Sequence, residues 1–457
     1  MNAVLLSGLL GVVMMFASFL FRTKAPVRIL AILGMVVLLV ANILETKGIH
    51  FFHINTAAFL SFSSYALFFN TIAIACTLVF FLISSKDMQR VGNHYAEYFA
   101  LIFFILTGIF LVTAFTNLLI LFIGIEIISI PLYILTGSAK KDLKSNEAAL
   151  KYFLMGAFST GIMLMGIALI YGATGTFEIG KMNMTALLKS NLLTGGMLML
   201  LFSMCFKVSV APFHFWTPDV YDGAPNVFTS FMATIVKVGI FVGFIHLFYT
   251  AFDAISVQWK LWMAVLAALT LLVGNITAVF QQSVKRMLAY SSISQAGFMM
   301  FALVAMNETA HEGLLLYAIA YSLATIGVFG VISKMSDYSF DGFNGLANHQ
   351  PLVALCVTIF MLSLAGIPLS AGFLAKFYML KAVIQSGGYM WLVILGVLMA
   401  AVSAYYYFRV IQAMYFKEGP SHFSGISSFE KYVLVGICVL IVFTGLFPNV
   451  IFSWLYF

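Results

Sequence analysis

The sequence predicts an all-α polytopic membrane protein of about fourteen transmembrane helices, and three observations carry that reading. The 457-residue chain is 63% hydrophobic. Only 9% of its residues are charged, where a soluble domain keeps about a quarter. Its apolar runs recur along the whole length, each close to the ~20 residues that a spanning helix needs. No stretch is long or polar enough for a separate soluble domain. The first run, MNAVLLSGLLGVVMMFASFLF, is apolar from its start and is followed by RTK, so it reads as a first span and not as a cleaved signal.

The spans fall approximately at 2–21, 27–45, 62–85, 97–115, 117–138, 147–173, 193–214, 226–250, 259–280, 287–306, 313–336, 351–380, 388–413 and 431–454. Spans four and five are separated only by the polar pair Thr116-Asn117. Residues 50–61, HFFHINTAAFLS, alternate weakly and predict a short surface strand or hairpin. Loops after odd-numbered spans carry twelve basic residues, among them Arg22, Arg90, Lys140, Lys141 and Lys285. Loops after even-numbered spans carry five: Lys47, Lys181, Lys189, Lys260 and Lys381. The positive-inside rule then places the odd loops in the cytoplasm of a bacterial inner membrane and both termini on the periplasmic side. The net charge of +7 is scattered over these loops, which fits topology and not the concentrated basic face of a nucleic-acid binder.

Absences narrow the chemistry. Cys76, Cys205, Cys356 and Cys438 lie far apart in apolar runs, with no metal-ligand spacing. The chain has no phosphate-binding glycine loop and no dinucleotide fingerprint. No cofactor or metal is expected in this chain, and any energy source lies in a partner or an ion gradient.

The costly residues sit inside the spans. Glu126 stands in the uninterrupted apolar run LLILFIGIEIISIPLYIL, with Pro131 five residues later. Lys207 precedes Pro212 by the same interval, and Lys237 lies in the next span beyond the turn TPDVYDGAPN. Lys376 follows Pro368 by eight residues in AGIPLSAGFLAK, and Lys151 lies about one turn inside span six. A helix-interior proline removes a hydrogen bond and displaces the carbonyl four residues back. Irregular backbone at membrane depth is tolerated only in protein packing or along a cavity. An isolated charge at mid-bilayer costs roughly 3 to above 10 kcal/mol. One static salt bridge that fixes helix packing needs one lysine, and this chain carries three or four. Desolvation favours a neutral amine, so the surplus lysines predict a proton path. Lys334 and Arg409, near span ends, read as ordinary snorkelling cations. His214 and His246 are candidate relays because imidazole titrates near neutrality, although interfacial histidines serve equally well as simple hydrogen-bonding groups.

Spans seven and twelve each pair a lysine with a proline break, in opposite order and five spans apart. That predicts an inverted repeat of residues 97–250 onto 259–413, flanked by N-terminal spans in 1–96 and a C-terminal span in 431–457. Transporter folds use such construction.

The motifs FKVSVAPFHFWTPDVYDGAP, KRMLAYSSISQAGF, MLSLAGIPLSAGFLAKFYML and YYYFRV resemble the antiporter-like membrane subunits of proton-pumping NADH:quinone oxidoreductase, respiratory complex I. The resemblance covers about residues 97 to 415. It implies a fourteen-helix fold with two inverted five-helix repeats, each with one broken helix. It implies that Glu126 and Lys207 pair in a first half-channel, that Lys237 continues a hydrophilic axis, and that Lys376 serves the second half. Lys151 matches a lysine in the family motif EAALKYF. NADH, FMN, iron–sulfur clusters and quinone are then expected in partner subunits, with antiporter-like membrane neighbours and the lipid bilayer as contacts. Gln295 stands where related sequences often carry histidine, so no histidine relay is assigned there. A multisubunit cation/proton antiporter or membrane-bound hydrogenase subunit, and a purely structural membrane scaffold, are the competing readings.

Overall fold

The computed structural model describes residues 1–21, 23–52, 54–182, 190–419 and 422–455. Arg22, Lys189 and His53, which entered the loop-charge and strand expectations, lie outside the described residues. The chain forms α1 (Asn2–Leu20), α2 (Lys24–Thr46), α3 (Ser64–Val91), α4 (Tyr95–Ala114), α5 (Leu118–Thr136), α6 (Leu143–Thr174) and α7 (Asn191–Lys207). It continues through α8 (Trp216–Gly223), α9 (Asn226–Phe231), a π-helical turn at Met232–Val236, α10 (Lys237–Ala251), α11 (Ser256–Val279), α12 (Val284–Ala305) and α13 (Glu308–Ile332). The last elements are α14 (Leu346–His349), α15 (Pro351–Ala365), α16 (Ala371–Ser386), α17 (Met390–Phe416), α18 (Ser428–Leu446) and α19 (Asn449–Leu455).

Among the described residues, twelve helices are long and apolar enough to cross a membrane, with α9 and α10 counted as one. α7 and α15 are shorter apolar helices, and each is the first part of a helix interrupted near a proline. The turn expected at TPDVYDGAPN is instead largely helical: Trp216–Gly223 is the second part of the interrupted seventh span. Pro218 sits in its first turn, where a missing N–H costs nothing. The strand expected at 50–61 does not form among the described residues. Residues 57–59 are a turn, and Leu60 makes a single antiparallel bridge with Phe115. Ser61 N donates to Ala114 O at 2.7 Å and Thr116 N to Phe59 O at 3.0 Å. The backbone of this loop is thus satisfied by the end of α4, leaving no second strand to pair.

Chain contacts divide the molecule into two units, residues 1–78, 88–209 and 236–261, and residues 79–87, 210–235 and 262–457. In the first, α1 packs on α2 and α4, α4 on α5, α5 on α6 and α6 on α7, while α10 rests on α4 and α7. Small residues allow the close crossings, as expected where lipid offers no hydrophobic drive between helices. A Cβ on Gly196 would meet Gly166 O at 2.7 Å, and one on Gly166 would meet Gly196 O at 2.9 Å. That contact holds α6 against α7, the helix that ends in Lys207.

In the second unit α13 packs against α9, α15, α16 and α18, and α12 against α8 and α16. The apolar windows of α12 and α13 are 94% buried, against 33% for α18. A helix buried all round is a core element, and one buried on a single stripe faces lipid.

Candidate functional site

Lys207 is the last residue of α7, and its side chain is only 8% exposed. The chain is non-helical beyond it, with Ser209 at φ 65°, before α8 begins. Its Nζ donates to Ser129 Oγ at 2.9 Å and to Thr160 Oγ1 at 3.3 Å. Ser129 and Glu126 are three residues apart on α5 and so share a face. Ser129 donates in turn to Ile125 O at 2.7 Å. Glu126 Oε1 is buried without a hydrogen-bond partner, and the carboxylate charge acts on the Lys207 ammonium. Among the described residues no carboxylate lies within ion-pair distance of Lys207. The pair expected from the resemblance is therefore not in direct contact: Lys207 is held by hydroxyl groups, one of them on the same helix as Glu126. Pro131 lies inside α5, which stays continuous through it.

Lys237, 2% exposed, opens α10 directly after the π turn at Met232–Val236. Single π turns inside helices concentrate at functional positions because they re-aim side chains and loosen one backbone bond.

Lys376, 6% exposed, lies on α16 in the second unit. Its Nζ donates to Leu364 O at 2.9 Å and Ala365 O at 2.8 Å, two carbonyls of the last turn of α15. Those carbonyls have no intrahelical donor, and the helix C-terminus carries partial negative charge. An ammonium therefore takes the place of a cap, and Nζ also stands 4.9 Å from the Phe298 ring centre. The break between α15 and α16 contains Pro368, with Gly366 at φ 84° and Leu369 at φ 71°. A Cβ at Gly366 would come within 2.8 Å of Lys376 Cδ. Gly366→Ala is expected to lower stability by about 1–2 kcal/mol through the left-handed backbone alone, and to shift the lysine. A thermal melt of the purified protein and proton transport in vesicles check the two effects.

A cavity of about 10 Å³ adjoins Lys376, lined also by Gln295, Tyr317, Tyr321, Ser363 and Leu364. That is room for one water. Gln295 donates to Leu364 O and to Tyr407 Oη, both at 3.0 Å, and accepts from Tyr317 Oη. Tyr407 also shares a hydrogen bond with Ser291, and Tyr406 donates to Asn275 Oδ1 at 3.0 Å. Sequence reasoning assigned no role to these tyrosines and to Gln295. The one signal available was the density of hydroxyl residues in YSSISQ and YYYF.

Other expectations come out differently. Lys151 is 43% exposed at its side chain and pairs with Glu147 at 2.8 Å, one turn away on α6. It is not buried with the other lysines. His246 Nε2 hydrogen-bonds Phe115 O at 2.8 Å, and its ring stands edge-on to Phe115. The histidine thus fixes the end of α4. His214 is buried and stacked on Phe215 just before α8. Pro212 precedes it, and Ala211 N donates to Thr270 Oγ1 at 3.0 Å, which anchors the break.

Lys334 does not snorkel. It is 4% exposed and bound to Asp87 Oδ1 at 2.6 Å and Glu430 Oε1 at 3.0 Å. Each of those carboxylates is itself buried. Glu430 Oε2 also receives Ser427 N at 2.9 Å in a capping box that starts α18. The S-x-x-E spacing 427–430 made the cap legible, but not its union with Asp87 and Lys334. Arg409 likewise donates to Val279 O at 2.8 Å and stacks on Phe340 at 4.0 Å. Lys285, counted as a loop cation, is buried and donates to Asp222 O and Ala224 O at 2.7 and 2.8 Å. Arg286 pairs with Asp219 at 3.1 Å, so the acids of α8 meet a basic partner.

The family model described as "NADH:quinone oxidoreductase/Mrp antiporter, TM" matches residues 115–403. The chain belongs to that family. It is 37% identical to the NADH-quinone oxidoreductase subunit N of Cytophaga hutchinsonii, over 99% of this chain and 98% of the relative. It superposes on a chain of respiratory complex I from Thermus thermophilus with TM-score 0.84 and 30% identity, covering 98% of this chain and 97% of that one. A chain of an archaeal membrane-bound sulfane sulfur reductase shares the fold, with TM-score 0.88 at 23% identity and coverage of 99% and 95%.

Proposed function

We propose that this chain is a proton-translocating, non-redox membrane subunit of a subunit-N-type NADH–quinone oxidoreductase. Electron transfer from NADH through FMN and iron–sulfur clusters to quinone takes place in partner subunits. The chain sits among antiporter-like neighbours in a bacterial inner membrane, with both termini periplasmic. Its fourteen spans are two inverted five-helix repeats, 97–250 and 259–413, with three preceding spans and one following.

One observation carries the reading. Lys207 and Lys376 are buried at helix interruptions in shells of hydroxyl and carbonyl oxygen, whereas Lys334 is buried between two carboxylates. Removing the charge of an ammonium held by carboxylates would leave buried anions without that cation. A lysine among neutral acceptors can give up its proton and keep its contacts. A neutral amine still has two N–H groups, enough for Leu364 O and Ala365 O, and its freed lone pair can meet the water-sized cavity. At Lys207 the serine and threonine hydroxyls can rotate from acceptor to donor as the amine changes charge. Glu126, with one oxygen unsatisfied, is the acid whose protonation state biases that lysine.

The test is proton transport per NADH oxidised, measured in vesicles holding the assembled complex with Lys207→Met or Glu126→Gln. The ratio is expected to fall in both variants while the complex stays assembled. An unchanged ratio overturns the proton-path reading and leaves the packing-scaffold one. Sodium-driven transport by vesicles lacking any NADH-oxidising partner points to the cation/proton antiporter instead.

A further inference from the structure

A cationic cavity lies apart from the buried lysines. It has a volume of about 750 Å³ and is formed by the loop between α3 and α4 together with the loop between α5 and α6. Arg90, Lys140 and Lys141 line it, with His94 and the hydroxyl-bearing Tyr98 and Ser138. Asp142 also lines it, but its Oδ1 accepts the backbone N–H of Lys144 and caps α6. Glu97 stands 3.7 Å from His94. Arg90, Lys140 and Lys141 thus share the cavity wall with the capping Asp142, and Glu97 lies beside His94.

The loops are built, not slack. Ser145 Oγ donates to Thr136 O at 2.7 Å, Asn146 Nδ2 to Lys140 O at 3.1 Å, and Asp142 N to Ala139 O at 2.8 Å. These bonds fix Lys140 and Lys141 on one rim. At the opposite rim Gly92 leaves the space that Tyr98 uses, since a Cβ there would meet its hydroxyl at 2.6 Å.

Depth decides the ligand class. The cavity opens at the ends of four apolar helices, α3 to α6, which is the level of lipid headgroups. Exposed apolar side chains lie near it in the chain: Leu143, directly after Asp142, is 83% exposed, Leu150, two turns further along α6, 58%, and Ile134, four residues before Ser138, 53%. A cationic cavity above a lipid-facing apolar strip matches a ligand with an anionic head and hydrocarbon tails. Basic cavities between membrane helices recognise such headgroups by charge and phosphate hydrogen bonding.

We propose that this cavity binds the phosphodiester headgroup of an anionic glycerophospholipid, with Lys140, Lys141 and Arg90 on the phosphate and the acyl chains along Leu143 and Ile134. The full chain in its assembled complex is placed in nanodiscs of phosphatidylcholine with or without phosphatidylglycerol. Retained lipid is counted by native mass spectrometry, and Lys140 and Lys141 are footprinted by amine acetylation. Phosphatidylglycerol is expected to be retained over phosphatidylcholine and to shield both lysines. Lys140→Gln with Lys141→Gln is expected to weaken retention about thirtyfold, from two basic residues near an anionic surface. Lys47→Gln is expected to leave it unchanged. Inorganic phosphate that displaces the lipid and shields the lysines equally identifies a free-anion site and overturns the lipid assignment. Equal retention of both lipids, or unchanged acetylation in phosphatidylglycerol, overturns it as well. Footprinting of the unmodified protein decides the matter even where the double variant fails to assemble.

Discussion

Lys334→Met is expected to destabilise the protein by about 3–5 kcal/mol, because removing one member of a buried ion cluster leaves the others uncompensated. Asp87 and Glu430 both lie within 3.0 Å of Nζ. Without Lys334 those acids face each other in an environment that offers little water. Glu430 would keep its bonds to Ser427 but lose its cation, so the start of α18 is expected to loosen first. The measurement is the thermal unfolding midpoint of the purified protein in detergent, together with assembled yield from membranes. Asp87→Asn with Lys334→Met and Glu430→Gln should recover much of the loss, since no charge then remains to be solvated. Recovery to near the parent midpoint identifies uncompensated charge as the cause. A single variant that melts like the parent sinks the account.

Lys376→Arg is expected to abolish proton transfer through the second unit while leaving the electrostatics of the break largely intact. A guanidinium keeps its positive charge and can still donate to Leu364 O and Ala365 O, but it does not release its proton in proteins. The larger head must be fitted beside a cavity of only about 10 Å³, a packing cost of about 1–3 kcal/mol. Lys376→Met removes both functions: Leu364 O keeps only its bond from Gln295, and Ala365 O loses the lysine donor, at about 1–3 kcal/mol. Proton-to-NADH ratio and melting midpoint, measured together, separate the roles. Loss of transport in Lys376→Arg with a midpoint above that of Lys376→Met assigns the lysine to proton exchange. Normal transport in the arginine variant would make it a cap and nothing more.

These two lysines show how far reading the chain could go. Both lie at the ends of apolar segments, and composition and position give Lys334 and Lys376 the same standing. The sequence pattern singled out Lys376 through its proline break and left Lys334 as a snorkelling cation. The opposite environments arise from contacts spanning 247 residues to Asp87 and 96 to Glu430. No local pattern encodes such pairings. Lys151 differs from both, because it lies four residues after Glu147 on an exposed part of α6 and pairs with it there. Gln295 and Tyr317 became part of a site only when α12 and α13 were packed on α16.

What the sequence by itself determined is the class and its interruptions. Apolar runs of spanning length commit the chain to membrane helices, since a bilayer tolerates no unpaired backbone. Lysines and a glutamate inside those runs stand out because their burial is expensive. The prolines and glycines at 212, 366 and 368 mark where the helices stop. Tertiary structure alone decided which lysine lies among carboxylates and which among hydroxyl oxygens. The carboxylates around Lys334 and the hydroxyls around Lys207 come from helices remote in the chain, whereas Lys376 meets the carbonyls of the helix just before its own.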